Sequence, residues 1–173
     1  MLHHDQEMEH TINTPCNKPD CFKMDLNYGT DMIKIASLIE TSQSCQQQIK
    51  FSCYLSKIKN HARWRDRHGK FHSFESCECY KNSSCYSLIN ENTCNCNMGD
   101  TFTRNDIITV TDMKSLPITS FQYGYAHMDQ QYAVVEVGPL ECYGSKPLPK
   151  SGKTCNDLRL LGQPSGYYFV EKK

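Results

Sequence analysis

The chain has 173 residues, room for one ordinary domain or one domain and a piece of another, and its eleven cysteines, about 6% of the total, point to a mid-sized domain reinforced by disulfides. Nineteen basic side chains balance nineteen acidic ones, which excludes a global field that would gather DNA, RNA or an anionic membrane and confines any polyanion binding to a local patch. No apolar run reaches the ~18 to 20 residues of a membrane-spanning helix, so any membrane anchor is expected outside this chain.

From the start, MLHHDQEMEH lacks the apolar core of a secretory signal, yet this cysteine content suits an oxidising compartment. The two agree if the chain is an internal fragment of a longer secreted or membrane-anchored precursor; a cytosolic protein with reduced thiols would instead need a metal. His3, His4 and His10 with Asp5, Glu7 and Glu9 are candidate ligands, but a polar terminal segment is expected to be solvated. TPCNKPDC places Cys16 and Cys21 in a small closed loop. DMIKIASLIETS, with Ile33, Ala36 and Ile39 on one face joined by Met32, Ile35 and Leu38, predicts a short helix or a strand-flanked turn. QQQIKFSCYL alternates, so Ile49, Phe51 and Cys53 share one side of a strand. Residues 57–75 are basic and aromatic, and their Asp-Arg-His-Gly centre predicts a hairpin or loop tip.

Beyond the cysteine cluster, strand-like runs are expected over Ile107–Val110, Leu116–Phe121 and Gln131–Val137. Pro117 sits at a strand start, where its missing N–H does least harm. Cys142 closes the ordered-looking run, GSKPLPKSGK has linker composition, and TCNDLRLLGQPSGYYFVEKK resumes ordered-looking sequence, so a domain boundary is expected near 145–153.

The segment SCECYKNSSCYSLINENTCNCN carries Cys77, Cys79, Cys85, Cys94 and Cys96. Zinc knuckles space their cysteines two to four apart, whereas the two members of a C-x-C pair in an extended chain point to opposite faces and suit different partners. The spacing therefore favours disulfides over metal, and no metal or other cofactor is expected. Asn82-Ser83-Ser84 inside this cluster is a glycosylation sequon. Lys57, Lys59, Arg63, Arg65, Arg67 and Lys70, interleaved with Trp64, Phe71 and Phe74, form a candidate polyanion site, set against the plainer reading of a solvated hairpin with its aromatics facing the core. The chain contains no G-x-S-x-G, H-E-x-x-H, P-loop or EF-hand motif, so no catalytic residues are expected.

DLNYGTDMIKIASLIETSQSCQQQIKFSCYLSKI, the Trp64 and Arg67-His68 region, CECYKNSSC with TCNCN, NDIITVTDMKSLPITSF and VGPLECYG resemble, in order and spacing over residues 24–144, the fibrinogen C-terminal-like domain of contactin-associated and other neurexin-IV-like proteins. That resemblance implies an α+β, disulfide-stabilised fold with short strands and few short helices over 1–144, its N-terminal part missing. Cys45, Cys53, Cys77, Cys79, Cys85, Cys94, Cys96 and Cys142 match the module's cysteines; their pairing stays open, since eight cysteines allow 105 connectivities. Cys16 and Cys21 add a local pair. Residues 145–154 read as a linker. The tail over 155–173 resembles the start of a second fibrinogen-like domain, which leaves Cys155 unpaired by truncation. GDTFTRNDIITV offers Asp100 and Asp106 but no dense carboxylate cluster, so the acidic calcium loop of true fibrinogen domains has no match. The implied protein is secreted or on the cell surface and non-catalytic, and works in adhesion or matrix assembly, with a mineral-associated matrix as one setting. Its partners would be extracellular matrix or cell-surface proteins, with no nucleic acid. The alternative is a carbohydrate-binding module that takes sulfated glycans on 57–75.

Overall fold

A computed structural model describes residues 1–13, 18, 20–74, 77–86, 94–124 and 130–147. Cys16, Cys155, the 151–173 tail and most of the predicted linker lie outside them. The central element is the strand β3 (Ser44–Tyr54). Its sequence alternates as expected, so that Ile49, Phe51 and Cys53 are buried while Lys50 faces out. β3 pairs antiparallel with β6 (Arg104–Val110) on one side and β8 (Tyr132–Val137) on the other. β8 in turn pairs with β1 (His10–Ile12), and β9 (Glu141–Tyr143) joins the start of β3. A second, four-stranded sheet runs in the order β2 (Phe22–Asp25), β7 (Ser120–Tyr123), β4 (Ala62–Arg65) and β5 (Phe71–Ser73).

The sheets meet through their aromatic faces. Phe51 of β3 packs against Phe121 and Tyr123 of β7, with ring centroids 6.4 and 5.2 Å apart. Large rings on both inner faces supply the burial that holds two sheets together. Among the described residues only α1 (Met32–Thr41) and the one-turn α2 (Glu78–Lys81) are α-helical, with a short 3-10 turn over Asn95–Met98. The expected α+β class is therefore wrong: the molecule is a β-sandwich-like fold of antiparallel sheets. The family-derived expectation gave helices more weight than the period-two patterning allows.

α1 forms where the helical reading placed it. Asp31 caps it, its carboxylate accepting from the Ile33 N–H at 2.9 Å. The buried face is narrower than the sequence suggests: Ile35 and Ile39 are buried one turn apart, while Ile33 is 77% exposed. The strand expected over 116–121 begins later, at Ser120. Before it, Asp112 builds a turn that accepts from the Lys114 N–H and the Ser115 hydroxyl.

Several polar side chains are buried among the described residues, and Gln47 is the largest of those fully enclosed. Gln47, fully buried on β3, donates from Nε2 to the Tyr28 hydroxyl and to the Gly138 carbonyl, both at 2.9 Å, and accepts on Oε1 from the Ile118 N–H at 3.0 Å. The Tyr28 hydroxyl in turn donates to the Ile118 carbonyl at 2.6 Å. Each polar atom is partnered, which makes burial of the amide tolerable and fixes three loops to one strand.

Candidate functional site

The basic and aromatic stretch folds as the β4–β5 hairpin, and Asp66 organises its tip. The buried carboxylate accepts from the backbone N–H groups of His68 and Lys70 at 2.8 and 2.9 Å and pairs with His72 Nε2 at 2.8 Å. Burial alone would raise the Asp66 carboxyl; the bonds from His72, Lys70 and His68 outweigh it and hold the group below the usual carboxylate range. Gly69, at φ +85°, supplies the left-handed residue the turn needs. His72 then stacks on Trp64, centroids 4.2 Å apart and planes within 14°.

Beside this hairpin runs an open groove of about 480 Å³. Trp64, His72 and Phe74 form one wall; Ile108, Val110 and Asp112 form the other. It lies between β5 and β6, each the last strand of its sheet order. The Asp66 carboxylate holds His72 on Nε2, and the Ser115 hydroxyl donates to Asp112 at 2.6 Å. With its hydrogen bond given to Asp112, the hydroxyl makes none to the imidazole among the described residues. The groove offers rings, backbone edges and a few fixed polar groups, which is the chemistry of binding.

The six candidate polyanion residues occupy three places. Arg63 and Arg65 alternate onto the outer face of the four-stranded sheet. There Arg63 donates to Gln122 at 2.7 Å and covers the Phe71 ring at 4.4 Å, and Arg65 approaches Asp25 at 3.5 Å. Arg67 and Lys70 lie at the hairpin tip, Arg67 donating to the Leu116 carbonyl at 3.0 Å. Lys57 lays its stem against Gly99, where an added Cβ would meet Lys57 Cε at 2.6 Å, and the Lys59 N–H donates to Asn97 at 2.8 Å. Charges contiguous in sequence are thus divided among the segment before β4, the outer face of β4 and the hairpin tip.

In the cysteine cluster the structure joins Cys45 to Cys142, Cys53 to Cys96, Cys77 to Cys94 and Cys79 to Cys85. Cys21 is also disulfide-bonded; Cys16, its expected partner, lies outside the described residues. Cys77, Cys94 and Asp106 lie close enough to share an ion, but the two sulfurs are bonded to each other and present no thiolates. The Asp106 carboxylate instead accepts from the Asn95 and Cys96 N–H groups at 2.8 and 2.7 Å, and burial pushes its pKa up to about 6 against those two bonds. Asp100 is taken by Arg104, so the two aspartates do not converge.

The N-terminal histidines are likewise dispersed. His3 pairs with Glu7 at 2.8 Å, His4 is buried with Nε2 3.2 Å from the Gly138 carbonyl, and His10 packs near Phe22. Asn82 ends α2 on an exposed turn. Sequence reasoning missed the Asp66–His72 pair and the groove. The D-x5-H spacing carries no signal until the hairpin brings its ends together, and the second wall comes from a strand far along the chain.

No family model matches the chain. It is 28% identical over 127 residues to contactin-associated protein 1 of Rattus norvegicus, an alignment covering 65% of this chain and 9% of that protein. It is 24% identical over 163 residues to neurexin-4 of Drosophila melanogaster, covering 83% of this chain and 12% of that protein. The chain thus corresponds to about a tenth of the length of these relatives.

Proposed function

We propose that the chain is a non-catalytic, disulfide-stapled module of a secreted or cell-surface protein, working in adhesion or structural assembly. It is a fibrinogen C-terminal-like domain over 1–144, followed by a linker at 145–154 and the start of a second such domain over 155–173. The observation that carries the extracellular address is the set of four bridges among the described residues, which a reducing cytosol would not maintain. Similarity to contactin-associated protein 1 and neurexin-4 supports the adhesive reading. So does the groove beside the hairpin, which suits an extended segment of a protein partner lying between two sheet edges. The sulfated-glycan alternative is disfavoured by the division of its six cations among three places.

Mass spectrometry of the intact, unreduced chain tests the address: a mass lower by about two hydrogens per bridge is expected, and eleven free thiols would overturn it. A thiol under native conditions should unfold the domain, while EDTA should leave it folded. Adhesion itself is tested by capture of cell-surface or matrix proteins on the purified chain, with Phe74→Lys and Val110→Lys abolishing retention if the groove is the contact. Retention unchanged in both variants would remove the groove from the reading.

A further inference from the structure

We propose that Asn82 carries an N-linked glycan whose occupancy is set by competition with closure of the Cys79–Cys85 bridge. Asn82-Ser83-Ser84 is the only N-x-S/T triplet of the chain without proline at its centre. The structure leaves Lys81, Asn82, Ser83 and Ser84 exposed, so a bulky polar attachment there displaces no packed neighbour. This inference rests on the extracellular address and not on the adhesive reading.

The triplet lies inside a ring closed by a bridge between residues six positions apart. Within that ring the Asn82 N–H donates to the Glu78 carbonyl at 3.2 Å, the Ser83 N–H to Tyr80 at 3.2 Å and the Ser84 N–H to Cys79 at 2.8 Å. Ser83 takes φ +51°, a left-handed turn. The Ser84 hydroxyl lies 3.4 Å from the Cys79 carbonyl. A transferase must draw the acceptor out of the surface and read the hydroxyl two residues beyond the asparagine. The closed ring opposes both: its backbone is committed to helix-end bonds and its hydroxyl is directed to the Cys79 carbonyl.

Modification therefore precedes closure. In the transfer, Asn82 Nδ2 bonds to the anomeric carbon of a lipid-pyrophosphate-linked oligosaccharide. The bond from that carbon to the phosphate oxygen breaks, the lipid pyrophosphate leaves with the electron pair, and the amide proton passes to a carboxylate of the transferase. In the competing step the Cys79 and Cys85 thiols lose two protons and two electrons to a disulfide-bearing oxidoreductase of the same compartment, and the S–S bond forms.

The full chain, led into the secretory route of animal cells by a signal peptide, is pulse-labelled and treated with peptide N-glycosidase. The expected result is one glycosidase-sensitive mobility step on a fraction of the chains, lost in Asn82→Gln and in Ser84→Ala. The double variant Cys79→Ser, Cys85→Ser, and separately a membrane-permeant thiol added during the pulse, should each increase that fraction. Occupancy is read on newly made intracellular chains, so variants that fail to fold still report. A step absent from every chain, the ring-opened one included, overturns the site. A glycosylated fraction that stays the same when the ring is opened overturns the competition. Because the signal peptide supplies entry, neither outcome depends on the protein's adhesive role.

Discussion

Removing the Cys45–Cys142 bridge should destabilise the domain more than removing any other described bridge, and the order of the four follows from how they nest. Cys45 and Cys142 are 97 positions apart, but Cys53–Cys96 short-circuits 43 of them, leaving an effective loop of about 54 residues and a chain-entropy contribution of about 4 kcal/mol. Cys53–Cys96 itself contains Cys77–Cys94, which short-circuits 17 of its positions, so its contribution is about 3.5 kcal/mol. Cys77–Cys94 encloses Cys79–Cys85 with its separation of 6 and contributes about 2.8 kcal/mol, and the innermost ring about 2 kcal/mol. Burial does not set this order, since Cys77 and Cys94 are fully buried while Cys142 of the outermost bridge, like Cys79 of the innermost, is only partly so; the ranking rests on loop length alone. At roughly 3 °C per kcal/mol for a chain of this size, the Cys45→Ala/Cys142→Ala variant should melt about 12 °C below the parent and the Cys79→Ala/Cys85→Ala variant about 6 °C below it. Thermal unfolding followed by circular dichroism gives both values. If the innermost pair proves the costlier loss, loop entropy does not govern these staples and the reasoning fails.

Gln47→Ala leaves the Ile118 N–H and the Gly138 carbonyl without their buried partner and opens a cavity on β3, so a loss of about 2 to 4 kcal/mol is expected in urea denaturation. A loss below 1 kcal/mol would mean water or a neighbour takes over those bonds. Asp106 should make stability fall as pH rises. Its folded pKa of about 6 lies above the ordinary 3.8, so the folded state binds more protons between those values. The stabilisation from the protonated group is complete below pH 4 and is lost as pH climbs through 6. Asp106→Asn should flatten this dependence between pH 4 and 7, read as the difference from the parent in denaturation midpoint; an unchanged slope would show that the two N–H bonds keep the carboxylate ionised. On a heparin column the chain should elute at low salt, and Arg63→Ala, Arg65→Ala and Arg67→Ala should each shift elution slightly and independently. Collapse of retention on loss of a single arginine would show a converged site.

The strands were legible where one face is wet. β3 announces itself because Ile49, Phe51 and Cys53 alternate with Lys50 and Ser52, and β6 and β8 do so more briefly. β7 is harder, since all four of its residues are buried and a continuous buried run has no period to read. β1 and β2 were passed over within a polar segment because each depends on a partner more than 90 positions away, β8 and β7 respectively. The same cause hid the groove and the core role of His4. Disulfides over metal could be argued from C-x-C geometry. Which sulfur meets which could not, because pairing is decided by the register of β3 against β9 and by the placement of the 3-10 turn beneath β3.

Where the described bridges lie bears on how the groove would work. Cys45 and Cys53 are on β3, Cys142 is on β9, and the rest fall in or beside α2 and the 3-10 turn. None has a cysteine within the four-stranded sheet. The β6 wall is paired along its length to the twice-bridged β3, whereas the β5 wall is a three-residue strand paired to β4 and held at its tip by Asp66. Local stability follows the number of buried contacts and covalent constraints, so one wall is fixed and the other is restrained chiefly by a hairpin. Such a groove can adjust the β5 side to an incoming segment at little cost while β6 keeps the register. Amide hydrogen exchange should then be fastest at Phe71–Ser73 and slowest in β3, with Asp66→Ala accelerating exchange in β5 and leaving β6 unchanged. Exchange in β5 as slow as in β3 would mean that the hairpin wall is as rigid as the stapled one, and adaptation would have to be sought elsewhere.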